Sequence, residues 1–168
     1  MELIRGKVLV SLGDHIDTDL ISPGKFLTSY EPEYLGSICL CEYAPDFREK
    51  VRAGGLLIAG KNFGCGSSRE TAPIALQAAG VRAVIAEEFA RIFYRNAINV
   101  GLPCIECPDT LKSISVGDEV EVDLAKGIVV NITKSMHIVG EPASEKLIEI
   151  LEGGGLMANL KSRLLSTR

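Results

Sequence analysis

The sequence predicts an α/β fold, a mixed sheet flanked by helices, and three observations predict it. Between residues 56 and 107, short aliphatic runs alternate with helical patterns in the order strand–helix–strand–helix–strand, which favours parallel pairing. Residues 118–133 instead carry the alternation and tight turn of a β-hairpin, which adds antiparallel strands. Hydrophobic residues make up 46% of the 168, yet aromatics are only 5% and Trp is absent, so Leu, Ile, Val and Ala must fill the core. A chain of this length buries enough surface to stand as one globular domain.

Residues 3–12 alternate as an opening strand. Residues 13–32 are polar and turn-rich with two prolines, a long connection of the kind that tends to carry function. YLGSICLCEY (34–43) and PDFREKVRAG (45–54) read as short helices, the second stopped by Gly54. LLIAG (56–60) is a buried strand, ETAPIALQAAG (70–80) a helix ended by Gly80, and AVIAEE (83–88) a strand. FARIFYRNAINVG (89–101) is an amphipathic helix whose inner face is Phe89, Ile92, Phe93 and Ala97. LPCIEC (102–107) is a further strand. After residue 113 the character changes. DEVEVDL and IVVNIT form the hairpin around the turn AKG, ASEKLIEILEGGG is a capped helix, and LMANLKSRLL a terminal one. The change at 113 reads as a subdomain seam and not a linker, so residues 1–168 are expected to form a single domain.

The net charge of −4 argues against nucleic-acid binding as the main role, because phosphate-backbone binding rests on clustered Lys and Arg. No apolar run approaches the roughly 20 residues of a membrane span. The opening MELIRGKVLV lacks the features of a signal peptide, so a cytoplasmic location is expected. The five cysteines, an odd number, then read as reduced thiols.

The sharpest local feature is GKNFGCGSSRE, residues 60–70, between a strand and a helix. A glycine loop opening a helix presents free N–H groups and the positive helix end to an anion. Gly64 and Gly66 permit close approach or positive φ. The loop does not match a P-loop or a dinucleotide fingerprint. Arg69 has the planar fork that clamps a carboxylate. The competing reading is structural: Ser67-x-x-Glu70 is the spacing of a capping box, which needs no ligand. For Ser67 to act as a base, its surroundings must stabilise an alkoxide, at about 1.4 kcal/mol for every tenfold gain in ionisation.

Three other clusters admit two readings each. DHIDTDL holds Asp14, His15, Asp17 and Asp19. In an extended stretch Asp17 and Asp19 share a face and suit a metal, although Asp also favours turns and caps. Cys39-x-Cys41 and Cys104-x-x-Cys107 suggest zinc or an iron–sulfur cluster, yet strand alternation and helix geometry would turn the members of each pair apart, as for buried free cysteines. Arg91 and Arg95 share a helix face, either paired with Glu87 and Glu88 or turned to an acidic partner surface.

DTDLISPGKFL, NFGCGSSRE and FARIFYRNAINVGLP occur together and in this order. That combination resembles the small subunits of the isopropylmalate isomerase and homoaconitase family, relatives of aconitase, over about residues 5–165. The resemblance implies the swivelling β/β/α domain of aconitase. It implies dehydration of a 2-hydroxy di- or tricarboxylate followed by rehydration at the neighbouring carbon. It also implies that the [4Fe-4S] cluster sits on a large subunit, in a heterodimer or heterotetramer, with no cofactor or metal bound by this chain. Ser67 then matches the base, Arg69 the group that holds the substrate carboxylate, Ser68 an assisting hydroxyl and Asp19 a site-ordering carboxylate. Phe26, Leu27, Thr28 and Ser29 match the specificity loop. Homoaconitase-type loops carry arginine where Thr28 stands, and threonine cannot clamp an extra carboxylate. Isopropylmalate, of the leucine-forming route, is therefore favoured. A homoaconitase-type or methylated malate substrate and a non-catalytic anion-binding module remain the alternatives.

Overall fold

The structure, a computed structural model, describes residues 3–166, so the ends of the expected 1–168 domain lie outside the described residues. A single seven-stranded sheet runs in the order β4-β3-β2-β1-β5-β6-β7. Its parallel half is β1 (Ile4–Ser11), β2 (Gly55–Ala59), β3 (Val81–Ala86) and β4 (Cys104–Glu106). Its antiparallel half is β5 (Glu119–Asp123), β6 (Ile128–Asn131) and β7 (Met136–Val139). β1 joins the halves, parallel to β2 with Val8 opposite Leu56 and antiparallel to β5 with Gly6 opposite Val120. The seam near 113 is thus where strand direction changes within one continuous sheet.

Helices α1 (Thr18–Ile21), α2 (Pro32–Ile38), α3 (Phe47–Val51), α4 (Thr71–Ala79), α5 (Arg91–Val100), α6 (Thr110–Ser113), α7 (Glu145–Glu152) and α8 (Leu156–Ser166) complete the fold. β2 is buried at every position, as a strand covered on both faces must be. Its alternate residues serve two apolar layers. Leu57 and Ala59 face the layer built with α2, α3 and α4, whereas Leu56 and Ile58 face the layer that includes Val120, Val129 and Leu151. Among the described residues no helix is long and apolar enough to cross a membrane.

Several expected elements differ. The segment 13–32 holds α1 and a 3-10 turn at Gly24–Phe26. α2 starts with Pro32 at its first position and stops before Cys39, so Cys39 and Cys41 lie in a turn and not in a helix. β7 has no counterpart in the sequence reading because its residues are mostly exposed and do not alternate. Ile92, expected on the inner face of α5, is 52% exposed; Phe93, Ala97 and Ile98 are the buried face. The helix begins two residues later than expected, leaving Phe89 in the preceding loop.

Candidate functional site

β1 and β2 are parallel neighbours, so the early acidic motif and the glycine loop both leave the sheet at its carboxyl edge, where open α/β sheets place ligands. The two segments stay zipped beyond the strands. Leu12 N–H donates to Ile58 O, His15 N–H to Lys61 O, Gly64 N–H to Ile16 O and Thr18 N–H to Cys65 O, each at 2.8 Å. The loop before α5 joins from the other side: Phe63 N–H donates to Glu88 O and Ala90 N–H to Phe63 O, both at 2.9 Å. Three motifs far apart in sequence are therefore one backbone-bonded unit. Below it lies an aromatic cluster in which Phe63 meets Phe93 edge-on at 5.2 Å and Phe89 stacks on Phe93.

The glycines are dictated by this packing. Gly64 has φ +78°, and a Cβ there would lie 2.1 Å from Phe93 Cγ. Gly66 has φ +89°, and a Cβ would lie 2.3 Å from a carboxylate oxygen of Asp17. Asp17 itself is the N-cap of α1, accepting from Asp19 N–H at 2.6 Å. Asp17 and Asp19 therefore sit at the start of a helix, not on one face of an extended stretch. Asp14 accepts from Lys61 N–H at 2.7 Å. Among the described residues no group of three or more His, Cys, Asp and Glu side chains could hold a metal ion. Cys104 and Cys107 face opposite apolar layers. Burial pushes the Cys107 thiol up to about 11, and raises those of Cys39 and Cys104 as well.

Arg69 is the best-defined polar group of the site. Its Nη1 donates to Ser22 O at 2.9 Å and pairs with Asp19 Oδ1 at 2.5 Å. Asp19 Oδ1 also accepts from Gly24 N–H at 2.9 Å. That backbone hydrogen bond, together with the charge and hydrogen bond of Arg69 and the charge of Lys25, outweighs a smaller desolvation effect and lowers the Asp19 pKa. Gly24 lies flat against the guanidinium; a Cβ there would stand 2.9 Å from both Nη1 and Nη2. Nη2 and Nε have no acceptor among the described residues, which leaves an edge of the fork for a ligand.

Ser67 and Ser68 are exposed. The Ser67 carbonyl accepts from Thr18 Oγ1 at 2.9 Å and from Arg69 N–H at 2.8 Å. The N–H groups of Ser67 and Ser68 have no acceptor among the described residues, which leaves two donors open to an anion. The capping box does not form. α4 begins at Thr71, its N-cap is Glu70, and no side chain caps it. Pro73 is the reason: it sits in the first turn, where a missing N–H does no harm, and this fixes the helix start beyond the reach of Ser67.

A cleft of about 620 Å³ opens between the early motif and α4. Gly24, Leu27, Tyr30 and Leu35 line one part of it, and Ser68, Arg69, Glu70, Thr71 and Ile74 the other. Of the sequence-predicted residues, Arg69, Ser68 and Leu27 thus come together. Asp19 reaches the cleft through Arg69. Ser67, Phe26, Thr28 and Ser29 do not line it. The Phe26 ring lies under Lys25 Nζ, 5.2 Å from it. Thr28 Oγ1 donates to Tyr34 Oη at 2.8 Å, and Tyr34 Oη donates to Phe26 O at 2.6 Å. Sequence reasoning missed Tyr34, which ties down this loop, and the cleft walls Tyr30, Leu35 and Ile74. Their signal was there in part: Leu35 and Ile74 are apolar residues one turn into helices that flank the motifs.

The model of the aconitase C-terminal domain matches residues 14–110. A 3-isopropylmalate dehydratase small subunit from Caldicellulosiruptor saccharolyticus is 51% identical over 90% of this chain and 87% of its own length. An isopropylmalate/citramalate isomerase small subunit from Methanocaldococcus jannaschii is 47% identical over 99% of this chain and 98% of its own. A crystal structure of a 3-isopropylmalate dehydratase from the same organism superposes with a TM-score of 0.90 at 45% identity, covering 99% of this chain and 98% of that one. The chain belongs to the aconitase C-terminal domain family, among the small subunits of the 3-isopropylmalate dehydratase type.

Proposed function

We infer that this chain is the small subunit of a two-chain hydro-lyase that isomerises 2-isopropylmalate to 3-isopropylmalate by dehydration and rehydration, a step of leucine biosynthesis in the cytoplasm. The observation that carries the reading is a cleft in a family member that offers a guanidinium edge at Arg69 and apolar walls at Leu27, Leu35 and Ile74. A malate with an alkyl branch needs both. One carboxylate lies along Arg69 Nη2 and Nε, and the branch lies against the apolar side.

Ser67, exposed and next in sequence to the cleft-lining Ser68, takes the proton from the carbon next to the held carboxylate. The free N–H groups of the loop and the charge of Arg69 favour its ionised form. Ser68, which lines the cleft, assists through a hydrogen bond. Asp19 orders the site by fixing Arg69, and Phe26 to Ser29 set the branch preference by where they hold Leu27. Among the described residues no group of three or more His, Cys, Asp and Glu side chains could hold a metal ion, and we assign the [4Fe-4S] cluster to the large subunit. The smaller branch of citramalate, named for one relative, fits the same walls, since a methylene is worth only about 1–3 kcal/mol. Thr28 itself offers an added carboxylate no charge, and its hydroxyl is engaged with Tyr34.

The test is reconstitution with a cluster-loaded large subunit under anaerobic conditions, assayed on 2-isopropylmalate, citramalate and homocitrate. Turnover of the alkyl malates above homocitrate is expected. Ser67→Ala is expected to lower kcat by about a hundredfold or more with little change in KM. No turnover of any malate by a pair that does associate would favour the non-catalytic anion-binding reading.

A further inference from the structure

The outer face of α5 has no role in the site as described, yet it is built unlike an ordinary solvated face. Ile92 stands 52% exposed at its first turn. Arg91 and Arg95, one helical turn apart, are exposed beside it. The arginines in ion pairs among the described residues are Arg5, Arg69 and Arg163, so the pairing of Arg91 and Arg95 with Glu87 and Glu88 that the sequence offered does not form. Glu87 instead accepts from Leu111 N–H at 3.5 Å. An exposed apolar side chain beside two guanidiniums that make no ion pair among the described residues has the composition of an interface centre, where arginine is enriched and lysine depleted.

This face is continuous with the candidate site. A small cleft of about 250 Å³ separates Ser68 from α5 and is lined by Ile92, Arg95, Asn96 and Asn99. Ser68 also lines the substrate cleft. On the other flank of Ile92, a groove of about 740 Å³ runs past Tyr94 to Glu141 and Pro142. Its second carboxylate, Glu106, accepts from Phe89 N–H at 2.9 Å and so is already engaged. Ser67 and Ser68 lie open to solvent, so a second surface has to close over them before fixed protein dipoles replace bulk solvent, in which the neutral hydroxyl of Ser67 is favoured over its ionised form. A chain that covers Ser68 from this side meets α5.

Resting on the function inferred above, we propose that Arg91, Ile92 and Arg95, flanked by Asn96 and Asn99, form a docking surface for the cluster-bearing large subunit, which receives Ile92 in an apolar hollow and faces the two arginines with carboxylates. The Kd of the holo pair, read by sedimentation so that it does not depend on turnover, tests this. Ile92→Asp is expected to raise Kd by about tenfold or more, and Arg91→Glu with Arg95→Glu by at least as much, with kcat at saturating partner unchanged. Added salt should weaken the wild-type complex and weaken the doubly reversed variant far less. Arg48→Glu, on α3, is the control and should leave Kd unchanged. If Ile92→Asp does not fold by circular dichroism, the arginine reversals at exposed positions decide. Unchanged affinity in those reversals overturns the docking face. A pair that binds normally but turns over no malate overturns the function reading instead, so the two failures are distinguishable.

Discussion

Arg69 can grip a carboxylate only in the orientation that Asp19 and Ser22 leave it. Both contacts fall on Nη1, and Gly24 closes one face of the guanidinium, so the edge carrying Nη2 and Nε is the part left to recognise an acid. A flexible arginine would lose more rotamer entropy on each binding event; a tethered one has lost it on folding. Asp19→Asn should therefore raise KM several-fold, about 3- to 10-fold, with a smaller effect on kcat, because it frees the guanidinium without removing it. The pair also has a pH signature. Folding lowers the Asp19 pKa, chiefly through the Gly24 hydrogen bond and then through Arg69. Its stabilisation is thus fully present above the ordinary carboxyl pKa of about 3.9 and is lost as pH falls through the lowered value. Urea midpoints of wild type and Asp19→Asn should differ by a constant amount from about pH 5 to 8 and converge below about pH 4. A difference that persists unchanged into strong acid would show that the carboxylate charge plays no part in holding Arg69.

Between residue and fold, the glycine loop is shaped by what is pressed against it. Gly60 is the clearest case, because its φ is ordinary and only space demands glycine: a Cβ would stand 1.9 Å from Asp14 Oδ1, which accepts from Lys61 N–H. Gly60→Ala should cost about 1–3 kcal/mol by urea unfolding. Asp14→Ala, made alongside it, removes the obstructing carboxylate, so the double variant should be more stable than the sum of the two losses predicts. Strict additivity would mean that Asp14 does not set the loop. The same element shows how far sequence reasoning reaches. The strand–loop–helix order and the three linked motifs were legible, because strand length, glycine stops and residue spacing are local properties. The start of α4 was legible to within a residue, and only the capping-box reading fails: Pro73 belongs in a first turn, which excludes Ser67 as N-cap. The cleft walls were not legible, since Leu27, Leu35 and Ile74 come from three segments that only the parallel register of β1 and β2 brings together. β7 escaped because an exposed edge strand has no buried face to impose alternation on Met136–Val139.

At the scale of the whole molecule, β1 decides whether the parallel and antiparallel halves can part. It bonds to β2 on one side and to β5 on the other, and Val8 and Val10 sit in opposite apolar layers. Opening the seam near 113 would strip one edge of β1 of its hydrogen bonds and expose Val120 and Val122, which are fully buried. We therefore propose that the chain unfolds as one cooperative unit. The free cysteines report on this without added labels. Cys39 and Cys104 lie in the layer under α2 and α4, Cys107 lies in the layer shared with β5 and β6, and Cys41 and Cys65 are only partly buried. Thiolate is the reactive form, and burial raises the pKa of Cys39, Cys104 and Cys107. Cys65 is raised too, by partial burial and then by Asp17, but like Cys41 it is only partly buried. A thiol-reactive dye should thus modify Cys41 and Cys65 in buffer, and the other three only on unfolding. Across a urea series, Cys39, Cys104 and Cys107 should become reactive at one midpoint, coincident with loss of far-ultraviolet ellipticity. Release of Cys107 at a clearly lower urea concentration than Cys39 would show that the antiparallel half opens first, and that β1 does not weld the sheet into one unit.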